Sequence, residues 1–221
     1  MKILFENDAY WIVRKPAGIV SEANGGHGLA DPLAANNDGY AGVIHRLDRE
    51  VGGVTVYAKT PLEAARLSAL VAARRLGKEY LAAVSGVLAE PEGELRDLLY
   101  YDRSKNKVYA VRRARRGVKE AALRYRTEAV TEMAGIGVVS LLAVEPLTGR
   151  THQIRVQFAS RGHAVVGDRR YGGTPLPAQA EAEKGQILLS CRRLVIPCAD
   201  GDRVYEEEPT WKTFFGSSQP E

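Results

Sequence analysis

Two clusters of charged side chains are the parts of this sequence that could do chemistry. In the first, Asp48 lies between Arg46 and Arg49, just ahead of the pair Gly52-Gly53. Glycine lets the backbone turn sharply there, so a carboxylate wrapped in cations stands at the entrance to a strand. In the second, Thr148-Gly149-Arg150-Thr151-His152-Gln153-Ile154-Arg155 sets Arg150, His152 and Arg155 around a helix start, a cradle for phosphate or carboxylate. Taken bare, each cluster also has a plain reading, with Asp48 as an ion-paired turn residue and the arginines as surface charge.

Several familiar chemistries lack their residues. The histidines His27, His45, His152 and His163 show no metal-ligand spacing, and Cys191 and Cys198 complete no zinc site, redox C-x-x-C or disulfide framework. The expectation is therefore no metal. Gly25-Gly26-His27-Gly28 is glycine-rich but is not a phosphate loop or a dinucleotide fingerprint. His45-Arg46-Leu47-Asp48 departs from the kinase catalytic loop at Leu47, and no G-x-S-x-G elbow is present. No apolar run approaches the roughly 18 residues of a membrane helix, and the N-terminus has acids where a signal peptide is apolar. A cytoplasmic protein without membrane contact is expected.

Charge says more by location than by sum. The net charge of +4 on 221 residues is modest, but from Arg103 to Arg126 ten basic residues face one acid, Glu120. Arg112, Arg113, Arg115 and Arg116 form its centre, and Tyr109 and Tyr125 are interleaved. Phosphate-neutralising charge with stacking surface is what binders of single-stranded or looped RNA use; a merely basic, solvated hairpin is the plain alternative. The run Glu206-Glu207-Glu208 reads as a solvated turn.

Few helices and many strands must position these clusters. Strands are expected at 10–14, 54–58, 79–87, 106–112, 120–130, 137–145 and 187–196, and a long loop at 21–42. Thr60-Pro61-Leu62-Glu63 is a capping box opening a helix that runs to Leu76, with Gly77 as its C-terminal cap. Residues 152–161 fit helix or strand, with helix preferred, and 172–185 reads as an inserted loop. Without regular strand-helix alternation, the pattern predicts an α+β fold on a largely antiparallel mixed sheet with flanking helices and loops, as a single domain over 1–221.

These strings resemble the RluA-type pseudouridine synthase family. The family's H-R-L-D, followed by a turn and an apolar strand ending in Ala-Lys, is matched by His45-Arg46-Leu47-Asp48 leading to Tyr57-Ala58-Lys59. The likeness continues in Trp11 to Gly18, Lys78-Glu79-Tyr80-Leu81, Val84-Ser85-Gly86, Thr148 to Val156, Gly162-His163, Gly167-Asp168 and Tyr171-Gly172. Two departures are visible: Val51-Gly52-Gly53 stands where the family has Thr-Ser-Gly, and Ser190-Cys191 where it has His-Ala. No S4-type RNA-binding domain is expected ahead of the catalytic domain.

The resemblance implies a pseudouridine synthase fold and the isomerisation of uridine in RNA to pseudouridine, with no cofactor. It implies Asp48 as the catalytic acid, Arg155 as the cation that keeps its carboxylate ionised, and Tyr80 as a ring that stacks on uracil and whose hydroxyl helps move the C5 proton. Arg46 would enter the space left by the flipped nucleotide, and the basic stretch from Lys105 to Arg116 would be a hairpin loop gripping RNA. Arg150 and His152 join Arg46 and the four arginines as expected RNA-binding residues. The expected partner is a ribosomal or transfer RNA stem-loop, met by a monomer with no obligatory protein partner. Two other classes stand beside this one: an RNA-binding module that has lost catalysis, and a carboxylate-dependent hydrolase of free nucleosides, which normally needs a second catalytic carboxylate.

Overall fold

A computed structural model of the chain describes residues 1–177, 183 and 185–215. Their order is β1 (Lys2–Glu6), β2 (Tyr10–Lys15), α1 (Ala30–Ala35), β3 (Gly42–Val43), β4 (Gly52–Ala58), α2 (Pro61–Ala72), β5 (Gly77–Ser85), β6 (Glu92–Asp102), β7 (Lys107–Val111), β8 (Val118–Met133), β9 (Gly137–Pro146), α3 (Gln153–Ala159), β10 (Leu189–Ile196), β11 (Arg203–Glu206) and a closing 3₁₀ turn, Thr210–Phe215. Strands dominate, as the α+β expectation requires. They fall into two compact units, Met1–Glu79 with 183–186 and 190–209, and Tyr80–Ala182 with 187–189 and 210–221.

In the first unit β2 pairs antiparallel with β1 and β4, from Tyr10↔Ala58 to Lys15↔Gly53, while β10 joins β4 in parallel at Ser190↔Gly52 and Cys191↔Gly53. That parallel contact makes the sheet mixed. Successive residues of a strand point to opposite faces: Ile12, Val54 and Val56 pack with Leu67 of α2, and Trp11, Val13 and Tyr57 pack with Leu33 of α1 and with Leu29 just before it. Covered on both faces, β4 is buried along its whole length.

The second unit is antiparallel throughout, in the order β5-β9-β8-β6-β7. Leu81, Ala83, Val139 and Leu141 bury against Trp211 of the closing turn. On the other face Leu99, Val108 and Ala121 pack with Val156 of α3.

Several expectations are corrected. The long loop at 21–42 contains α1, whose entrance is tied by Asp31 accepting the Asn24 and Gly28 backbone N–H groups at 2.8 Å; the glycines and asparagines around it masked the apolar spacing of Leu29, Ala30 and Leu33. Helix α2 opens on its Thr60 cap, with Thr60 Oγ1 accepting the Glu63 N–H at 3.2 Å, but ends at Ala72 instead of Leu76. Arg74 takes the left-handed turn, and Gly77 starts β5, where an added Cβ would lie 3.0 Å from Val195 Cβ. The basic stretch is not one hairpin loop: β6 stands between β7 and β8, so residues 112–117 cross over β6. β6 escaped the sequence reading because its outer face alternates charges, Glu94 and Arg96, that read as loop. Glu206 closes β11 and pairs with Arg193 at 3.0 Å, so the acidic run is ion-paired strand end, not solvated turn. Of the expected inserted loop at 172–185, residues 178–182 and 184 lie outside the described residues.

Candidate active site

Asp48 sits in the loop that joins β3 to β4 in the first unit, half-buried, its backbone carbonyl accepting the Val51 N–H at 3.0 Å. The residue before it anchors the loop. Leu47 is buried, and its N–H and C=O both bond Ser21 Oγ at 3.1 Å. His45 is buried as well; burial, with help from the Lys78 charge, pushes its imidazole down to about 3, so it stays neutral.

Lys15 is the group near Asp48 to which the sequence reading gave no role. Ending a buried strand, it has no exposure, and its Nζ donates to the carbonyls of Pro16 at 3.0 Å, Ile19 at 2.6 Å and Arg49 at 3.3 Å. Three donors meeting three carbonyls stitch the 16–19 turn to the Asp48 loop. Burial pushes the ammonium down to about 8, while the charges of Asp48, Glu183 and Glu50 pull it back up. The available signal was a lysine at the buried end of a strand, directly before a proline.

Gly52 and Gly53 of Val51-Gly52-Gly53, the run that stands where Thr-Ser-Gly was expected, open β4 where the backbone is crowded. Gly53 has φ +116°, and a Cβ there would collide with the Cys191 backbone of β10; a Cβ on Gly52 would lie 3.3 Å from the Lys15 carbonyl oxygen. Arg46 points to solvent, its Nη1 2.6 Å from Glu22 Oε1.

In the second unit, Tyr80 of β5 stands in register with Val144, which faces Tyr125, which faces Gly93. Residues directly opposite one another share a face, and Phe158 of α3 packs edge-on against Tyr125 at 5.7 Å. Tyr80 and the helix that carries Arg155 therefore lie on one face of this sheet. Arg155 is buried and binds Asp168 through Nε at 2.6 Å and Nη2 at 2.9 Å. Asp168, quoted in the sequence only as part of a motif, is thus a fixed partner of Arg155.

The turn into α3 is tightly wired. Gln153 Oε1 accepts from Thr148 Oγ1 at 2.7 Å and from the Arg150 N–H at 3.0 Å, and its Nε2 donates to the Ala122 carbonyl at 2.9 Å. Arg150 itself donates through Nε to the Glu120 carbonyl at 2.9 Å. His152 is the N-cap in the left-handed region, φ +51°. With seven residues α3 is a short helix, so Arg150 and His152 act as side chains and the helix end adds little.

Arg112, Arg113, Arg115 and Arg116 are all exposed on the 112–117 crossing. The Arg115 guanidinium lies 4.6 Å from the centre of the Tyr100 ring, on the face of β6 opposite Leu99 and α3. Among the described residues no group of His, Cys, Asp and Glu side chains is arranged to hold a metal ion, and no helix is long and apolar enough to cross a membrane.

The chain is 34% identical over 181 residues to "Uncharacterized RNA pseudouridine synthase YhcT" of Bacillus subtilis, covering 78% of this chain and 58% of that protein. It is 31% identical over 182 residues to "Ribosomal large subunit pseudouridine synthase D" of Xylella fastidiosa, covering 79% and 52%. The chain thus spans little more than half the length of these relatives. Its fold matches the solved structure of "Human RNA Pseudouridylate Synthase Domain Containing 1" with a TM-score of 0.76 at 22% identity, over 94% of this chain and 83% of that one. The pattern of the family described as RNA pseudouridylate synthase matches residues 9–160, and the chain belongs to that family.

Proposed function

We propose that the chain is an RNA pseudouridine synthase, an isomerase that acts on uridine within RNA as one catalytic domain, without cofactor. What carries the reading is a half-buried aspartate on a loop pinned by Leu47 and Lys15, in a chain of this family. The reaction breaks the C1′–N1 bond, forms C1′–C5, removes the proton from C5 and returns one to N1. Bonds and electrons balance, so no oxidant, reductant or nucleotide is called for.

In this reading Asp48 attacks or stabilises the activated sugar or base. Arg155 supplies the cation that keeps a desolvated carboxylate ionised; its bidentate bond to Asp168 fixes the plane of the guanidinium. Tyr80 stacks on the uracil and its hydroxyl assists the C5 proton. Extruding a stacked base costs a few kcal/mol, and Arg46 occupies the vacated space after leaving Glu22. Arg112, Arg113, Arg115, Arg116, Arg150 and His152 contact the RNA. The protein works as a monomer in the cytoplasm, and the names of its relatives make ribosomal RNA the first substrate to test.

The direct assay uses RNA labelled with tritium at uridine C5, incubated with the purified chain. Release of tritium to solvent by the wild-type chain and none by Asp48→Asn is the expected result; equal release by both would overturn the assignment of Asp48.

A further inference from the structure

The face of β6 and β7 turned away from α3 carries tyrosines where the other face carries core. Leu99 and Val108 bury against Val156, so their neighbours Tyr100 and Tyr109 point the opposite way. These two stand directly across the strand pair, with Cβ atoms about 5 Å apart. Tyr109 is 36% exposed. A single exposed ring needs no explanation, but here cations are built onto the pair.

The 112–117 crossing is folded back onto this face. The Arg115 carbonyl accepts the Val118 N–H at 3.0 Å, and Gly117 turns through the left-handed region at φ +85°, where a Cβ would lie 3.6 Å from Tyr100 Cε2. That turn delivers the Arg115 guanidinium over the Tyr100 ring, 4.6 Å from its centre. Lys107 Nζ lies 5.7 Å from the centre of the Tyr109 ring. Phosphate neutralisation alone asks only for charge, which any exposed arginine supplies, and needs no ring beneath it.

Charge decides what such a surface fits. Ten basic residues to one acid between Arg103 and Arg126 call for a polyanion, and a planar ring beside a planar guanidinium calls for a flat group. A nucleobase on its phosphate backbone is both. Bases of a duplex are already stacked on one another, so the matching ligand is an unpaired strand.

We infer that Tyr109, together with Arg115 held in place by Tyr100, is a stacking platform for an unpaired nucleobase of single-stranded RNA, with Lys107 beside it for the phosphates. The inference deepens the RNA synthase reading and rests on it, adding a grip on bases to the grip on phosphates. Every base has a π-face, so the platform holds a strand without reading its sequence.

A cytidine RNA dodecamer tests this, because its base is not the one the proposed reaction isomerises. Fluorescence anisotropy compares it with an abasic strand of equal length and with a blunt RNA duplex. The wild type should bind the cytidine strand at least about fivefold more tightly than the abasic strand; equal binding overturns the inference with no variant involved. Tyr109→Val, a residue suited to an edge strand, should weaken cytidine-strand binding at least about fivefold and leave the other two ligands within about twofold. The slope of log affinity against log salt should stay as it is, since no charge is lost. Tyr109→Phe keeps the ring and should match the wild type, while Arg115→Lys keeps the charge, loses the plane and should bind the cytidine strand more weakly at the same slope. Equal losses on strand and duplex, or a Tyr109→Phe affinity as low as that of Tyr109→Val, would overturn the inference. Tritium release from uridine-labelled RNA by the wild type tests the reading separately. Release combined with binding indifferent to Tyr109 refutes the platform alone; no release combined with Tyr109-dependent binding refutes the synthase activity and leaves the platform standing.

Discussion

Lys15 brings a positive charge to a position with no solvent exposure, and its three carbonyl partners only partly replace lost water. Its folded pKa of about 8 lies below the usual lysine value of 10.5. Between those two values the unfolded chain binds more protons than the folded one, so this group's contribution to stability rises with pH through that window and is lost as pH falls through 8. The full swing is on the order of 3 kcal/mol. Urea unfolding of the wild type between pH 8 and 10.5 should show this rise, and Lys15→Met should lack it; parallel pH profiles would mean that the ammonium is not desolvated. Asp48→Asn tests the neighbouring carboxylate. The amide is nearly isosteric at a half-buried site, so thermal unfolding should move by no more than a few degrees while turnover falls by roughly 1000-fold or more.

At the scale of elements, α3 and the loop after it act as one clamp. The Arg155–Asp168 pair is almost fully buried, and breaking such a pair from one side strands a charge, at about 3 to 5 kcal/mol. Asp168→Ala should therefore destabilise the chain by up to that amount in urea unfolding, while Arg155→Met/Asp168→Leu, which removes both charges of this pair, should be milder than either single change. Equal losses in single and double variants would show that the pair serves packing alone. The 112–117 crossing makes a separate prediction. If its four arginines neutralise phosphates, replacing them by serine makes the plot of log affinity against log salt shallower by up to roughly 0.7 to 0.9 per contact. Turnover of bound RNA should be unaltered. Titration of a labelled RNA at several salt concentrations reads this, and unchanged slopes would remove the loop from the interface.

At the scale of the whole molecule, neither unit is one continuous stretch of chain. The backbone passes from the first unit to the second within β5, returns at 183–186, crosses again at 187–189 and 190–209, and ends in the second. Each unit has a buried tryptophan in its core, Trp11 in the first and Trp211 in the second. Because unfolding one unit frees the ends of segments that belong to the other, the two should unfold together. Trp11→Phe and Trp211→Phe, each leaving one reporter, should give coincident urea midpoints once corrected for the stability each substitution costs. Midpoints separated by a plateau would mean that the units unfold independently.

Much of this was legible in the order of residues alone. The Thr60 cap, the β-branched runs of β4 and the apolar alternation of β9 depend on near neighbours, and local spacing was enough to place them. Asp48, with Arg46 and Arg49 beside it, was singled out in the same way, because its chemistry lies in types and intervals along one stretch of chain. The partners were not legible. Lys15 is joined to the Arg49 carbonyl across 34 residues, Arg155 to Asp168 across 13 and Tyr171 to His152 across 19, and no local pattern encodes such pairings. β6 was missed for a related reason, since its outward charges mimic a loop until β7 and β8 close on either side. Residue identity and short-range spacing thus determined which groups this protein has for chemistry. Only the tertiary structure decided which of them is buried, what each is bonded to and hence how it is charged, because desolvation and pairing are set by groups that the chain brings together from a distance.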